Sequence, residues 1–504
     1  MNESGLQMIR KIRETEAAAQ KGAQEDPWRL AFHLMPPTGW LNDPNGLCQM
    51  KGVYHVFFQY SPFDPCGGEK FWGHYTSRNL TDWEYAGVPL APDEQFDRSG
   101  VYSGSCLVKE GTMYLFYTGN VKLPGDYDYV SQGREANTVL VESRDGRRFG
   151  EKKLLLTNRD YPADYTLHIR DPKVFALEDR YYMVLGGRKK NDSGAVLLYE
   201  SCDLENWRFC RELTVSMQFG YMWECPDLFR IGEKWFLSLS PQGLPRGEHA
   251  FQNVYTAGYF QVNGDFRAGC RLEDFREWDK GFDFYAPQTF TDESGRTLLI
   301  AWAGLPDAEE EYVNPTTENG WQHALTVPRL IREQNGRLLQ YPVPELEALR
   351  GERQEVRAKA AIYAPSAFDL IITVDGKKEA GDCGAKDRKL SITVADALNF
   401  TWDGKEAVLS FTDAAAGKQA GIGRGRTQRR ALVPDIWEIR ILADTSLIEI
   451  YVNHGETVFT TRFYPAGDTR RLLVEGTCAG TGVLWPMCRQ ASEAVREPHE
   501  EQYN

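Results

Sequence analysis

The sequence has no C-x-x-C pair: its ten cysteines stand apart at 48, 66, 106, 202, 210, 225, 270, 383, 478 and 488. That spacing offers neither a zinc ribbon nor a dithiol redox motif. No apolar run approaches the ~20 residues that cross a bilayer. The stretch from Met1 to Leu30 lacks the apolar core of a secretory signal. Reduced thiols and a cytoplasmic location are therefore expected. Positive charge is in deficit, with 58 Lys and Arg against 72 Asp and Glu, a net charge of −14. That balance argues against nucleic acid or an anionic membrane as a partner. The eight histidines form no H-E-x-x-H and no close ligand spacing, so no metal is expected. Ser103-Gly104-Ser105 lacks the flanking glycines of a nucleophile elbow. Gly186-Gly187-Arg188-Lys189-Lys190 is a basic turn and no P-loop, and no cofactor is expected.

What is present is aromatic and β-rich. Phe, Trp and Tyr make up 12% of the 504 residues, and Gly numbers 46. At this length two domains are the prior. Residues 1–27 read as a polar helical extension. From 28 to 341, short apolar-alternating runs such as Tyr54–Tyr60, Met113–Tyr117 and Lys234–Ser238 are separated by Gly, Asn, Asp and Pro, the signature of strands. Polar-aromatic strand starts recur at Asp43, Ser103, Asp171, Glu224 and Tyr285, with steps of 60, 68, 53 and 61 residues. Five units of this size predict an all-β fold built on a five-bladed propeller whose first strands line one axis. Residues 342–352 read as a linking helix and 353–492 as a β-sandwich, with a hairpin at 447–463 around Asn453 and Gly455. Residues 493–504 form a polar tail.

Three motifs carry the chemistry: Trp40-Leu41-Asn42-Asp43-Pro44-Asn45-Gly46, Arg170-Asp171-Pro172 and Trp223-Glu224-Cys225-Pro226-Asp227. Each sets a carboxylate at or just before a residue that precedes proline, a context that favours extended backbone and interrupts a ladder. One such carboxylate is an ordinary turn residue. Three at blade spacing meet the needs of glycosidic cleavage, which takes two facing carboxylates about 5 Å apart in a retaining enzyme. Asp43 is the candidate nucleophile, kept ionised by its turn and Asn42. Glu224 is the candidate acid, its pKa raised by the apolar Trp223 and Met222. Arg170 would hold Asp171 ionised for sugar hydroxyls, although adjacent strand residues share a face only at a bulge. Trp40, Trp72, Trp302, Tyr102 and Tyr285 are candidate sugar platforms. Cys225 is placed to tune Glu224 or to sit as an inert buried thiol.

These motifs resemble glycoside hydrolase family 32, the β-fructofuranosidases. The resemblance runs from His33 to about Pro465. It includes F-F-Q-Y at 57–60, F-W-G-H-Y at 71–75, Y-S-G-S at 102–105, R-D-P-K-V-F at 170–175 and E-C-P-D-L-F at 224–229. It continues in D-F-Y-A-P-Q at 283–288, L-T-V-P-R at 325–329 and I-E-I-Y-V-N-H-G-E at 448–456. The resemblance implies a propeller followed by a sandwich and retaining hydrolysis. It assigns the nucleophile to Asp43, the transition-state stabiliser to Asp171 and the acid/base to Glu224. It adds Asn42, Gln59, Ser103 and Arg170 to a fructosyl pocket, with Tyr102, Tyr285 and Trp302. Leu41 replaces the Met or Phe common in the first motif, and 64–68 lacks a tryptophan that many members use as a platform. Sucrose or sucrose 6-phosphate is the expected substrate. Fructan hydrolysis, fructosyl transfer and a non-catalytic sugar-binding propeller are the alternatives. Arg188 and Lys189 are the first candidates to read a phosphate. Oligomeric state is not encoded in any motif.

Overall fold

The computed structural model describes residues 2–23, 25–308, 312–375, 388–412 and 426–487. Its first half is the expected propeller. The innermost strands of five sheets are Gly39–Met50, Val101–Lys109, Tyr165–Leu177, Met222–Ile231 and Tyr285–Thr291. Each packs against the innermost strands of both neighbouring blades, so the ring closes. Successive strands then step outward in chain order within each of the first four blades. The short strand Trp321–Gln322 returns from the last blade to run parallel to Gly39 and Trp40, joining last blade to first.

The repeat is visible at the outer turns. In the first blade Ser77, Asn79 and Asp82 cap a turn in which Leu80 is left-handed and its carbonyl accepts the Trp83 indole. In the third blade Ser201, Asp203, Leu204 and Trp207 repeat that arrangement. Asx side chains bond the backbone two or three residues on, which fixes such turns locally. Trp83 and Trp207 mark this shared turn in the sequence, each three residues after the left-handed leucine.

Helix Glu3–Ala23 covers the expected N-terminal extension. It is polar except for a seam where Ile9 and Ile12 are buried and Glu16 accepts hydrogen bonds from Tyr60 and Tyr85. The expected linking helix is a short 3-10 turn, Pro344–Leu349. Pro344 occupies its first turn, where a missing N–H costs no hydrogen bond. The sandwich packs two six-stranded sheets. Strands Leu390–Val394, Leu398–Trp402 and Glu406–Phe411 alternate buried and half-buried residues, as a one-sided sheet requires. The hairpin Leu447–Val452 to Thr457–Arg462 turns through Asn453, His454 and Gly455, all at positive φ. The polar tail expected over 493–504 lies outside the described residues.

Two of the sequence motifs bolt the propeller to the sandwich. Arg329, fully buried on the last blade, donates to Glu449 and Thr460 of the sandwich and to Gln340, and pairs with Asp279 at 3.3 Å. His33 bridges Asp444 and Glu449 at 2.8 and 2.9 Å. Removing one partner of a buried ion network strands the remaining charges. Arg329→Leu is therefore expected to destabilise the protein by about 3–5 kcal/mol. Denaturant unfolding of variant and wild type checks this, and a change below about 1 kcal/mol would contradict the bolt.

Candidate active site

Each innermost strand loses register at the same level of the ring. The slips fall between Leu41 and Pro44, Val101 and Gly104, Arg170 and Lys173, Glu224 and Asp227, and Tyr285 and Gln288. In the last three blades the residue before proline is left-handed: Asp171 at φ 64°, Cys225 at 48° and Ala286 at 47°. The extended backbone expected before proline is thus corrected. A bulge needs one residue turned out of the ladder, and that requirement prevails over the pre-proline preference. Such a conformation costs of order 1–3 kcal/mol. Each turned residue recovers a hydrogen bond from the preceding blade. Asp171 N–H donates to Thr118 Oγ1 (2.8 Å), Cys225 N–H to Asp171 Oδ2 (2.9 Å) and Ala286 N–H to Ser240 Oγ (3.2 Å). The bulge also brings Arg170 and Asp171 to one side, where Arg170 Nε meets Asp171 Oδ1 at 3.1 Å.

Asp43 is buried, and both its oxygens are engaged. Ser103 Oγ donates to Oδ2 at 2.5 Å and Asn42 Nδ2 to Oδ1 at 3.1 Å. Gln59 ties these two donors together, accepting from Asn42 at 3.0 Å and donating to Ser103 at 2.8 Å. Burial and the nearby Asp171 raise the Asp43 pKa, while Ser103, Arg170 and Asn42 oppose the shift. Glu224 lies across from this group, held through Oε2 by Gln242 and the Tyr285 hydroxyl, each at 3.0 Å. Arg170 Nη1 lies 3.2 Å from Glu224 Oε1. Burial pushes the Glu224 pKa to about 7 against the pull of Arg170, with Asp171 and Asp43 adding to the rise. The result is a carboxyl whose burial favours the protonated form, beside a second acid fixed by Ser103 and Asn42.

The aromatic candidates divide. Trp40, Trp302 and Tyr285 stand in a row with ring centroids 5.8 and 6.2 Å apart. This row spans the site, because the Trp40 indole donates to Asn42 and Tyr285 to Glu224. Tyr102 lies beneath the Arg170 guanidinium at 5.1 Å. Trp72 does not belong with them. It is fully buried in the core between the first two blades and donates to the Tyr102 carbonyl, so its ring is closed to a sugar. Phe57 and Tyr117 pack against its ring, with centroids 5.8 and 6.1 Å away. Cys225 is a buried thiol, the second of its two expected roles. Its Sγ points between Asp43 and Asp171 at 3.7 and 3.6 Å, away from a role on Glu224. Asp227 of the same motif accepts the Thr289 N–H and hydroxyl and serves as a staple between blades.

Three contacts had no signal in the sequence. Lys70 donates to Asn42 Oδ1 at 3.2 Å and lies over the Trp40 ring; burial lowers its pKa to about 8. Gln242 sits on the second strand of its blade, opposite Met222. His168 accepts from Arg170 Nη1 at 3.3 Å through Nε2, and burial with the surrounding arginines keeps the ring neutral. None of these side chains lies in a carboxylate motif; only strand register and blade packing bring them in. Among the described residues, Glu248, His249 and Glu406 form a metal-capable group, but Arg430 already pairs with both carboxylates. No described helix is long and apolar enough to cross a membrane.

Comparison with known proteins places this architecture. The glycosyl hydrolases family 32 N-terminal domain matches residues 33–342 and the family's C-terminal domain matches 346–480. The chain belongs to glycosyl hydrolases family 32, and it is an enzyme of the glycoside hydrolase class. It is 37% identical to the sucrose-6-phosphate hydrolase of Bacillus subtilis over 468 residues, covering 90% of this chain and 93% of that protein. The solved sucrose-6-phosphate hydrolase of Lactobacillus gasseri superposes with a TM-score of 0.84 at 28% identity, covering 95% of this chain and 97% of that one. A mutant Bombyx mori GH32 beta-fructofuranosidase in complex with sucrose gives 0.80 at 29% identity, with 97% and 99% covered.

Proposed function

We propose that this enzyme releases the terminal β-D-fructofuranosyl unit of sucrose or sucrose 6-phosphate by double displacement, inside the cell, on sugar taken up from outside. The observation that carries this reading is the pairing of Glu224, whose pKa burial raises, with Asp43 pinned by Ser103 and Asn42. In the first step an Asp43 oxygen attacks the fructose anomeric carbon while Glu224 delivers its proton to the departing glycosidic oxygen. The aldose leaves, and a fructosyl ester stands on Asp43. In the second step Glu224, now ionised, takes a proton from water, which attacks the same carbon and frees Asp43.

Asp171 neither attacks nor donates. Fixed by Arg170 and the Cys225 N–H, it accepts from fructose hydroxyls as charge develops on the ring. The Trp40–Trp302–Tyr285 row walls the pocket, and Asn42 and Gln59 orient donors inside it. The names of relatives that hydrolyse sucrose 6-phosphate support the substrate class.

Initial-rate assays test the proposal, comparing free-fructose release from sucrose, sucrose 6-phosphate and an inulin-type trisaccharide. The expected order places one of the two sucrose forms first, with free fructose as the main product. Faster turnover of the trisaccharide, or transfer products in place of fructose, would contradict it.

A further inference from the structure

Several cations of the second and third blades are candidates to meet a leaving group at Glu224. Most are already spent. Arg170 is taken by Asp171 and Glu224. Arg188 donates through Nε and Nη2 to Asp192 and stacks on Tyr221. Lys189 is held between Asp164 and Glu212 at 2.9 and 2.8 Å, and Lys190 donates to the Ala163 carbonyl. His168 is no cation: its Nε2 must accept from Arg170, whose guanidinium can only donate. The sequence-based choice of Arg188 and Lys189 as phosphate readers therefore falls on side chains with full-time partners.

Arg134 is different. It opens strand Arg134–Ser143 of the second blade and is half buried. Its Nε is sealed from solvent without a partner. Among the described residues no carboxylate or carbonyl accepts a hydrogen bond from its guanidinium. Its backbone is fixed by Asn158, which donates to the Arg134 carbonyl, and the adjoining loop is tied to the third blade by the Leu167 N–H on Val130. The nearest acid in that loop, Asp128, is occupied in capping Val130, Ser131 and Gln132. Arg134 stands within electrostatic reach of Arg170, Tyr102 and Glu224, and burial together with Arg170 lowers its pKa. An unpaired guanidinium held in such a place is costly without an anion.

We propose that Arg134 is the specificity-determining residue that binds the phosphate of a phosphorylated leaving sugar. This rests on the hydrolytic reading above. Phosphate suits the position because a planar guanidinium meets two of its oxygens at once. The departing oxygen lies at Glu224, within electrostatic reach of Arg134, while fructose is held by Asp43, Asn42 and Gln59. A phosphate on the leaving aldose is the anion that Arg134 lacks.

The test compares kcat/KM for sucrose 6-phosphate and for sucrose in wild type, Arg134→Gln and Arg134→Lys. Wild type is expected to favour the phosphorylated sugar by about tenfold or more, as a charge-assisted pair would give. Arg134→Gln is expected to lower that ratio at least about tenfold, chiefly through KM, and Arg134→Lys to recover part of it. A wild-type ratio near one, or a ratio unchanged in Arg134→Gln, would overturn the proposal and leave the hydrolytic reading standing. If neither sugar were cleaved, that reading would fall, and calorimetry with glucose 6-phosphate would still decide the role of Arg134. Weaker binding by Arg134→Gln would support it, and equal binding would overturn it.

Discussion

Asp43→Asn is expected to cut kcat roughly 10⁴-fold or more, the scale on which loss of a covalent nucleophile is felt, while the melting temperature stays within a few degrees. The carboxamide matches the carboxylate in shape but cannot form the fructosyl ester. Its oxygen still accepts from Asn42. Its amide group replaces only the oxygen that Ser103 reaches, and the Ser103 hydroxyl can turn to accept instead. The neighbouring Gln59 link is untouched. Fructose release by stopped assay, with thermal unfolding as the control, checks both halves. Near-normal turnover in a folded variant would remove Asp43 from the mechanism.

Glu224→Gln is expected to lower turnover of sucrose by roughly 10²–10⁴-fold, the usual contribution of a general acid. The loss should shrink on an aryl fructofuranoside, whose leaving group departs without a proton. In wild type the pH profile carries the same information. In the proposed mechanism Glu224 acts first as an acid, so kcat/KM is expected to fall as pH rises through its pKa of about 7. The proposed nucleophile Asp43 must be an anion, so activity is also expected to fall at low pH, with its limb above the ordinary aspartate range because burial raises that pKa. The two limbs belong to a coupled set of carboxylates and report the set as a whole. In Glu224→Gln the alkaline limb near 7 should vanish. An alkaline limb that persists there would assign it to another group, with Lys70 the first to examine because its pKa lies at about 8.

Much of this was legible in the sequence, for particular reasons. The blade repeat shows because each blade must restart an inner strand at the same depth, so Asp43, Ser103, Asp171, Glu224 and Tyr285 recur at nearly constant steps. The three carboxylates show because each lies next to a proline-interrupted ladder. How the backbone presents them did not show. Pre-proline preference points to extended strands, whereas Asp171, Cys225 and Ala286 turn left-handed and are held by acceptors on the preceding blade. Those acceptors lie about fifty residues away in sequence, beyond any local rule. Trp72 differs because an aromatic in a site motif looks the same whether it faces a sugar or the next blade; its neighbours Phe57 and Tyr117 in the core between two blades separate the two cases. Gln242, Lys70 and Arg134 were illegible for the converse reason. Each reaches its place through strand register or blade packing, and none is marked by the residues beside it.

Double displacement through Asp43 is tested directly by the anomer of the first-formed product. Proton NMR of sucrose hydrolysis, recorded before mutarotation equilibrates the product, distinguishes the two cases. Two displacements at one carbon must release β-D-fructofuranose, with configuration retained. Release of the α-anomer would mean that water attacks directly, with Asp43 as a base, and would contradict the mechanism drawn here.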